Sequence, residues 1–488
     1  MPDLSKTDFN PWHALALLCA AQFMVVLDAS IVNVALPSIG ESLSFSQENL
    51  SWVINAYVLF FGGFLLLGGR LADLLGRRTI FVAGLALFSL ASLAGGLAQN
   101  ETQLIVARAL QGLGGALFSP AALSLITAIF RDGSDRNKAL GAWGAVAGSG
   151  GAVGVLLGGV LTDFAGWEWV LWVNVPIGVA AIALAFRLIP PSRASSMRRH
   201  FDLPGALAVT AGLSILVYAL VDAESAGWGS TQTVLLLIVA AALLGAFVGV
   251  ERRAPSPLVP GRLVRLGTVR GSNVVALLVG ASLFSMFFFV SLYMQQVLGF
   301  SPLKTGLSYL PLAVTIILSA GIASQLVTRL GFKPVLMVGL GFIAAGLVWF
   351  SQVSTEGSFL ADILGPSLLA AIGLGFSFVP VTIGAVAGVS DEDGGIASGM
   401  INASQQVGGA LGLAVLVTIA NGRTDDAMAA AGGDPAALAG ALTDGFQAAF
   451  VVGAGFALLG LLLTVVLIDS TDGQRVTEEE AEGVPAAA

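Results

Sequence analysis

The composition of this 488-residue chain excludes a water-soluble globular protein. Asp, Glu, Lys and Arg make up only 11% of its residues, whereas soluble domains carry about 25%. Hydrophobic residues make up 56%, and the 62 glycines are an abundance that membrane helices tolerate, because small residues let helices pack closely. The net charge of −8, with no basic arm or stripe, argues against nucleic acid as a partner. The sequence therefore predicts a polytopic membrane protein.

Apolar segments long enough to cross a bilayer recur along the whole sequence between short polar breaks. A membrane-spanning helix needs about 20 mostly apolar residues, and on this criterion we predict an all-α protein with fourteen spans. They lie at residues 12–37, 49–69, 79–98, 102–130, 138–161, 167–189, 203–222, 231–250, 270–297, 306–328, 334–352, 361–389, 394–420 and 446–468. An even number of spans places both termini on the same side of the membrane.

The distribution of basic residues predicts which side that is. Short cytoplasmic loops carry an excess of Lys and Arg. With the N-terminus inside, every basic residue lies on the inner side except Arg108, which lies within a span, and Lys304 and Arg423, which lie outside. The inner loop SDEDG at 390–394 is an acidic exception. We therefore predict that both termini are cytoplasmic.

Two long basic loops, at 187–200 and 251–270, bracket the seventh and eighth spans. An internal repeat supports this division, because GRLADLLGRRTIF at 69–81 has a degraded copy, SQLVTRLGFKPVL, at 324–336. Parallel halves of this kind are typical of transporters whose substrate site lies between two bundles. We predict an N-terminal tail at 1–11, a six-helix bundle at 12–189, a linker with two extra central helices at 190–267, a second six-helix bundle at 268–468 and an acidic cytoplasmic tail at 469–488.

Three motifs in chain order carry a family resemblance. They read LDASIVNVALPSI at 27–39, GGRLADLLGRR at 68–78 and RALQGLGGALFSP at 108–120. On these residues the chain resembles the major facilitator superfamily, and the stretches at 201–220 and 291–311 are similar to its fourteen-helix drug:proton antiporter family in particular. The resemblance covers residues 13–468. It implies a major facilitator fold in a bacterial plasma membrane and proton-coupled export of lipophilic small molecules, such as drugs or antibiotics, by alternating access.

The sequence contains no motif for enzyme chemistry. It has no Walker-type loop, no cluster of His and Cys, and no nucleophile placed with a base. We therefore predict no enzymatic activity, no metal and no cofactor, and the resemblance implies protons as the coupling ion. The expected partners are lipophilic small molecules and the lipid bilayer, and we expect a monomer.

One carboxylate lies deep inside a predicted span. Asp28 lies about 24 Å into a bilayer core of about 30 Å, counted from Trp12, and Arg108 in the fourth span lies at a similar depth. Because burying either charge alone is expensive, we expect both to face one polar cavity. Burial disfavours the charged carboxylate while the guanidinium favours it, so protonation would respond to hydration and to a bound cation. The resemblance implies the same roles, with Asp28 as proton carrier and Arg108 tuning it. The alternative is a static ion pair that only fixes helix packing.

The loop after the second span carries a second candidate site. Asp73 and Arg77 are four residues apart and can pair within one helical turn, and Gly76 can adopt a positive φ where the helix breaks. The resemblance implies that Gly69, Asp73, Gly76, Arg77 and Arg78 form a conformational latch between the two halves. The alternative is a loop whose arginines only hold the orientation in the membrane.

A set of polar, aromatic and soft side chains suits loose recognition of varied lipophiles. We predict a substrate cavity lined by Asn33, Asn55, Tyr57, Gln111, Met286, Phe287, Tyr293, Asn402 and Gln405. Interhelical amides and lipid-facing aromatics would explain the same residues without any ligand.

The fifth span carries glycines at spacings of three and four, which places them on one face. This face consists of Gly144, Gly148, Gly151, Gly154 and Gly158. Such a stripe lets a neighbouring helix approach closely, either for packing or as a sliding seam during transport. The related antiporters have prolines where this chain has Gly151 and Val155. Since proline bends a helix, we expect this span to be straighter.

Two alternatives to proton-coupled export stay open. The first is a proton-independent facilitator, or a translocase of lipids or a metabolite, with the same fold and a structural Asp28; the missing prolines favour it. The second is a non-transporting membrane sensor or scaffold. Its candidate interaction regions would be the acidic tail at 469–488 and the outer loop at 421–445.

Overall fold

The structure, a computed structural model, describes residues 10–45, 50, 52–130, 133–190, 202–254, 257–390 and 393–468. The acidic tail, most of the N-terminal tail and residues 191–201 of the predicted linker lie outside these ranges. Within the described residues the N-terminal group consists of α1 Pro11–Leu43, α2 Trp52–Leu75, α3 Arg77–Gly96, α4 Glu101–Ile129, α5 Gly133–Ala165, α6 Trp169–Trp172 and α7 Asn174–Leu188. A helical hairpin follows: α8 Leu203–Ala226 and α9 Thr231–Glu251.

The remaining helices form the C-terminal group. They are α10 Gly261–Arg265, α11 Gly267–Leu292, α12 Pro302–Ser308, α13 Leu310–Leu330, α14 Phe332–Phe350, α15 Gly365–Ala385, α16 Gly394–Ala430 and α17 Leu438–Leu467. Two π-helical segments, Tyr293–Val297 and Phe359–Leu364, adjoin α11 and α15. A 3₁₀ turn, Pro435–Ala437, precedes α17.

The described part of the chain contains twelve helices that are long and apolar enough to cross a membrane, or thirteen when the two halves of a bent helix count as one. The all-helical prediction is therefore confirmed. The predicted span at 203–222 corresponds to α8, whose apolar stretch covers only Pro204–Leu220.

Small polar residues fix where several helices begin. Asn10, Asn100 and Ser230 each accept a hydrogen bond from a backbone N–H in the first turn of α1, α4 and α9. Such caps satisfy amides that have no partner inside the helix. The two copies of the repeat break their helices in the same way, because Gly76 and Gly331 both adopt positive φ, at 101° and 81°. Glycine tolerates this conformation without steric cost.

The helices pack mainly within their own group. In the N-terminal group α4 packs against α2 and α3, and α1 packs against α5 and α7. In the C-terminal group α11 packs against α16 and α17, and α15 packs against α13 and α14. The two groups meet along two seams, α2 with α16 and α5 with α13, and α8 lies against both α2 and α16. The candidate sites lie inside the N-terminal group and along these seams.

The connection between the last two helices is shorter than predicted. The prediction of an outer loop at 421–445 is wrong, because α16 continues to Ala430 and α17 begins at Leu438. The polar stretch after residue 420 is rich in alanine, the strongest helix former. Apolar periodicity marks only the part of a helix that is suited to the membrane. It therefore misses a polar continuation of the same helix.

The fifth span is bent although it lacks the two prolines. Its two halves, Ser134–Gly151 and Val153–Ala165, meet at an angle of 42°. Sharp bends occur at Gly/Ser pairs as well as at proline. The Ser149 hydroxyl donates to the carbonyl of Ala145 at 2.7 Å, a contact that bends helices, and Gly150 and Gly151 follow directly. The glycine-rich sequence thus bends α5 without a proline.

We predict that Gly154→Ala destabilises the protein while Gly151→Ala does not. A Cβ at Gly154 would lie 2.9 Å from the carbonyl oxygen of Leu27 on α1, whereas a Cβ at Gly151 would meet open space. Overpacking at the first site costs about 1–3 kcal/mol, and alanine in a helix gains up to about 1 kcal/mol at the second. Thermal unfolding of the purified variants checks this. Equal effects at both positions would contradict the described contact between α1 and α5.

Candidate functional site

Asp28 and Arg108 form a buried ion pair between α1 and α4. The Asp28 Oδ2 and Arg108 Nη1 atoms lie 2.6 Å apart, and the two residues are 0% and 1% exposed. The structure thus brings together the two charges that the sequence places at similar depth. A buried pair of this kind tolerates the loss of either partner poorly.

Three neutral polar residues complete what we call the Asp28 cluster, which consists of Asp28, Ser92, Arg108, Gln111 and Asn174. Asp28 Oδ1 accepts hydrogen bonds from Gln111 Nε2 at 2.6 Å and from Asn174 Nδ2 at 2.9 Å. Both amides also donate to the Ser92 hydroxyl, each at 3.1 Å. Ser92 in turn donates to the carbonyl of Leu171 at 2.7 Å.

Arg108 has further partners on α2 and on its own helix. Its Nε donates to the carbonyl of Val53 at 2.9 Å, and its Nη1 donates to Gln111 Oε1 at 2.6 Å. The guanidinium carbon lies 4.4 Å from the centre of the Tyr57 ring, a cation–π arrangement. The positive charge is therefore held by neutral groups as well as by Asp28.

The glycines of the RALQGLGGALFSP motif explain why these residues meet. A Cβ at Gly112 would overlap the carbonyl oxygen of Tyr57 on α2, and a Cβ at Gly114 would lie 2.6 Å from the backbone nitrogen of Phe88 on α3. Only glycine permits such close backbone approach. Because α2 and α3 both approach α4 closely, Tyr57 and Ser92 reach Arg108 and Gln111.

Sequence reasoning missed Ser92 and Asn174. Both lie within predicted spans, and a buried amide inside a span needs hydrogen-bond partners. Asn174 therefore carried a usable signal, whereas serines are too common in membrane helices to be diagnostic. In the described part of the chain no three His, Cys, Asp or Glu side chains lie together in a way that could hold a metal ion.

The predicted cavity residues of the N-terminal group divide into two pairs. Tyr57 and Gln111 contact Arg108. Asn33 is exposed and its amide donates to the carbonyl of Ala29, and Asn55 is half-buried. Among the described residues neither asparagine is hydrogen-bonded to the Asp28 cluster.

The predicted cavity residues of the C-terminal group are engaged inside that group. Tyr293 is buried and donates to the carbonyl of Ser354 at 2.6 Å, and Met286 is also buried. The Phe287 ring lies 5.4 Å from that of Tyr309. Asn402 donates to a carbonyl of its own helix, and Gln405 is half-buried beside Gly280. The contacts described for Tyr293, Phe287 and Asn402 therefore join residues of the C-terminal group.

Asp73 joins the two groups. Its Oδ1 and Oδ2 atoms accept hydrogen bonds from the backbone amides of Gly395 and Ile396, both at 3.0 Å. These amides belong to the first turn of α16, where free N–H groups and the helix dipole favour a negative charge. Arg77 lies 3.5 Å from Asp73 and donates to the carbonyl of Ser124 at 3.2 Å. Asp73 on α2 therefore caps a helix of the other group.

The other predicted latch residues have different partners. A Cβ at Gly69 would overlap the carbonyl oxygen of Gly395, so Gly69 permits the close approach of α2 and α16. Gly76 takes its positive φ between α2 and α3. Arg78 donates to the carbonyl of Ile189 at 3.0 Å and lies over the Phe186 ring, and both of these partners belong to the N-terminal group.

The degraded copy of the repeat also lies at a seam between the groups. Ser324 donates to the carbonyl of Asn137 at 2.7 Å, and the Asn137 amide donates to Thr328 at 3.0 Å. Thr328 is the position that matches Asp73 in the first copy. At the matched positions of the repeat, the start of α5 and the end of α13 are therefore joined by neutral groups, where α2 and α16 are joined by a charged one. Arg136 of α5 also donates to the carbonyl of Val386 in the C-terminal group, at 3.1 Å.

The acidic loop exception at 390–394 has a structural explanation. Asp393 is buried and lies 2.6 Å from the guanidinium of Arg262 on α10. This residue immediately precedes α16. The same helix end is thus held by Asp73 from α2 and, through Asp393, by an arginine of the segment after the α8–α9 hairpin.

The glycines of α5 do not face one neighbour. Gly144 lies against Val379 on α15, whereas Gly154 and Gly158 lie against α1, and Gly151 faces open space. The surroundings of Gly148 lie outside the described residues. The bend in α5 lies between Gly151 and Val153, and it therefore separates Gly144 from Gly154 and Gly158.

Comparisons with known proteins agree on one family. Residues 18–413 match the sequence model of the Major Facilitator Superfamily. The chain is 41% identical over 466 residues to a puromycin resistance protein of Streptomyces alboniger, covering 95% of this chain and 92% of that protein. It is 42% identical over 457 residues to a cephamycin export protein of Amycolatopsis lactamdurans, covering 93% and 92%.

Solved structures with low sequence identity share the fold. The proton:xylose symporter XylE matches with a TM-score of 0.65 at 15% identity, covering 97% of this chain and 98% of the symporter. The human organic anion transporter TETRAN matches with a TM-score of 0.64 at 16% identity, covering 93% and 99%.

We predict that Arg108→Gln destabilises the protein and that adding Asp28→Asn restores most of the loss. The single variant leaves an unpaired buried carboxylate, which costs about 3–5 kcal/mol, whereas the double variant leaves two neutral amides. Thermal unfolding of the purified protein measures both. Lys138→Gln is the control, because it removes one partner of an exposed ion pair, worth at most about 1 kcal/mol. A double variant as unstable as the single one would contradict the ion-pair interpretation.

Proposed function

This chain belongs to the major facilitator superfamily, and on that premise we propose that it exports lipophilic small molecules, such as drugs or antibiotics, in exchange for protons by alternating access. It is a multi-pass protein of the bacterial plasma membrane and not an enzyme. Two relatives that match over nearly their whole length are named for puromycin resistance and cephamycin export. The single observation that carries the proton-coupling part is the buried Asp28–Arg108 pair.

The proposed topology has fourteen spans, both termini in the cytoplasm and a monomeric chain. Two six-helix bundles at 12–189 and 268–468 rock about a central cavity, with the two extra helices in the linker at 190–267. The packing of the helices into two groups that meet along two seams supports this arrangement. The positions of α8 and α9 outside both groups support the division at the linker.

Asp28 is the proposed proton carrier. An ionisable residue inside a membrane span favours an ion pathway over a purely structural role. All the partners of Asp28 in the cluster are N–H donors, so they stabilise the carboxylate and lose strength together when it takes a proton. Proton binding would thus loosen contacts among α1, α4 and α7 at once. We expect monocationic, zwitterionic or neutral lipophiles as cargo, with Asn33 on the substrate path because its side chain is exposed near Asp28 on α1.

The proposed latch is the contact between Asp73 and the start of α16. In the described conformation the ends of α2 and α16 on the side that we assign to the cytoplasm are in backbone contact at Gly69 and Gly395. Opening that side requires the two Asp73 hydrogen bonds to break. Gly76, Arg77 and Arg78 fix the orientation of the segment that carries Asp73.

A proton-independent facilitator or lipid translocase is the alternative. The missing prolines of the fifth span favoured it, because we expected a straighter helix without them. The 42° bend of α5 weakens that argument. The alternative requires that the Asp28–Arg108 pair has only a static, structural role. Transport measurements distinguish this role from proton-coupled export.

We predict that an imposed pH gradient drives efflux of a lipophilic cationic dye from proteoliposomes, and that Asp28→Asn abolishes the dependence on the gradient. The variant keeps the shape of the side chain but cannot exchange a proton. Asp163→Asn is the matched control, because Asp163 is an exposed carboxylate near the end of α5. Equal dye movement in the parent and Asp28→Asn, whatever the gradient, would establish the facilitator or translocase instead.

We predict that Asp73→Ala opens the inner side of the α2–α16 seam. A cysteine placed at Ser398, which is 0% exposed on α16, reports opening through its labelling by a membrane-impermeant maleimide in a Cys19→Ala background. Labelling should rise severalfold with Asp73→Ala, because the α16 amides lose their cap. Asp135→Ala, which removes an exposed carboxylate at the start of α5, should leave the rate unchanged. Unchanged labelling in Asp73→Ala would exclude the latch.

A further inference from the structure

Two amide side chains donate hydrogen bonds to the same oxygen of Asp28. Gln111 Nε2 and Asn174 Nδ2 both donate to Asp28 Oδ1. The two amides differ in what their own oxygens do. Gln111 Oε1 accepts a 2.6 Å hydrogen bond from Arg108, whereas Asn174 Oδ1 is buried and has no hydrogen-bond partner among the residues that the structure describes.

This difference decides which amide can turn over, so that its oxygen and nitrogen atoms exchange positions. Exchanging the oxygen and nitrogen of Gln111 would place an N–H group against the guanidinium of Arg108, which is itself only a donor. Exchanging those of Asn174 breaks no bond to its oxygen, because that oxygen has none. The Asn174 Nδ2 atom would lose its bonds to Asp28 and Ser92. Ser92 would keep its donor Gln111 and its acceptor, the carbonyl of Leu171.

The protonated form of Asp28 needs such a reversal. A protonated carboxyl is a hydrogen-bond donor, yet every cluster group within bonding distance of Asp28 presents an N–H. A buried O–H without an acceptor pays the full cost of its lost hydration. A reversed Asn174 would offer its Oδ1 atom to that O–H at the place where its N–H now lies.

We propose that Asn174 is a positioning residue that serves both protonation states of Asp28 by reversing its side-chain amide. The proposal rests on the proposed proton coupling through Asp28. When the proton binds Asp28 Oδ1, the N–H bond from Asn174 breaks and an O–H bond to Asn174 Oδ1 forms. The charge of Asp28 changes from −1 to 0. Arg108 keeps its bonds to Gln111 and the Val53 carbonyl and its contact with the Tyr57 ring.

The other described groups around Asp28 do not provide an acceptor for its proton in place of Asn174. Among the described residues, the charged or titratable groups beside Asp28 are Arg108 on α4 and Tyr57 on α2. The Tyr57 hydroxyl is directed to the carbonyl of Val25, at 3.4 Å. The neighbouring groups on α3 and α7 are neutral, because Ser92 contacts the two amides and Asn174 donates to Asp28.

Asn174→Leu tests the proposal, because leucine has nearly the same size and forms no hydrogen bond. Two quantities are measured on the full chain: gradient-driven efflux of the cationic dye from proteoliposomes, and the pH midpoint of dye binding to the purified protein. Both protonation states of Asp28 lose one bond in the variant. We therefore expect efflux about tenfold slower, equivalent to about 1.4 kcal/mol, with the midpoint displaced by less than about half a pH unit.

Ser92→Ala is the matched control, because Ser92 lies in the cluster and contacts both amides but not Asp28. Its efflux should be reduced clearly less than that of Asn174→Leu. If Asn174→Leu does not fold, Asn174→Ala removes the same amide without adding apolar bulk and takes its place in both measurements.

Three results would overturn the proposal. A midpoint displaced to higher pH by about one unit or more would identify Asn174 as a fixed donor to the carboxylate alone. An unchanged efflux rate would show that the amide has no part in proton exchange, and equal slowing in Ser92→Ala would reduce it to one of several packing contacts. Failure of the proposed proton coupling is distinguished by Asp28→Asn, which would then move dye at the same rate as the parent whatever the gradient.

Discussion

The buried Asp28–Arg108 ion pair is the constraint around which the N-terminal group is organised. Neither charge is stable in an apolar interior without compensation, so backbone and side-chain groups from α2, α3, α4 and α7 converge on α1. The glycines of α4 permit that convergence, and Gln111 orients both charges. Loss of charge at Asp28 therefore affects the contacts of five helices together. A proton-driven transporter needs such an effect if proton binding is to change how its helices pack.

The contacts across the two seams differ in strength, although the repeat relates them. Asp73 places a charge on free amides of α16, whereas the matching Thr328 accepts one neutral bond from Asn137. Charge-assisted hydrogen bonds are roughly twice as strong as neutral ones. At these matched positions the α2–α16 seam therefore has the stronger contact. Its position beside α8 and the Arg262–Asp393 pair means that the linker shares in holding it.

The sequence predicted what depends on periodicity and on isolated charges, and missed what depends on orientation. Depth counting was enough to pair Asp28 with Arg108, and spacing was enough to single out Asp73. Nothing in the spacing revealed that Asp73 would cap a helix more than 300 residues away, because that contact depends on how the two groups dock. Asn174 was missed because an uncharged amide gives a weak signal. The bend of α5 was missed because proline was taken as the only cause of kinks.

The short connection between α16 and α17 has a practical consequence for structure determination. Transporters of this size offer few rigid features outside the detergent micelle by which particles can be aligned in electron microscopy. Here α16 runs unbroken to Ala430 and α17 starts at Leu438, so residues 431–437 form a short connection between two long helices. A small helical protein spliced between these ends would extend both helices and serve as a fixed marker of particle orientation, far from the Asp28 cluster.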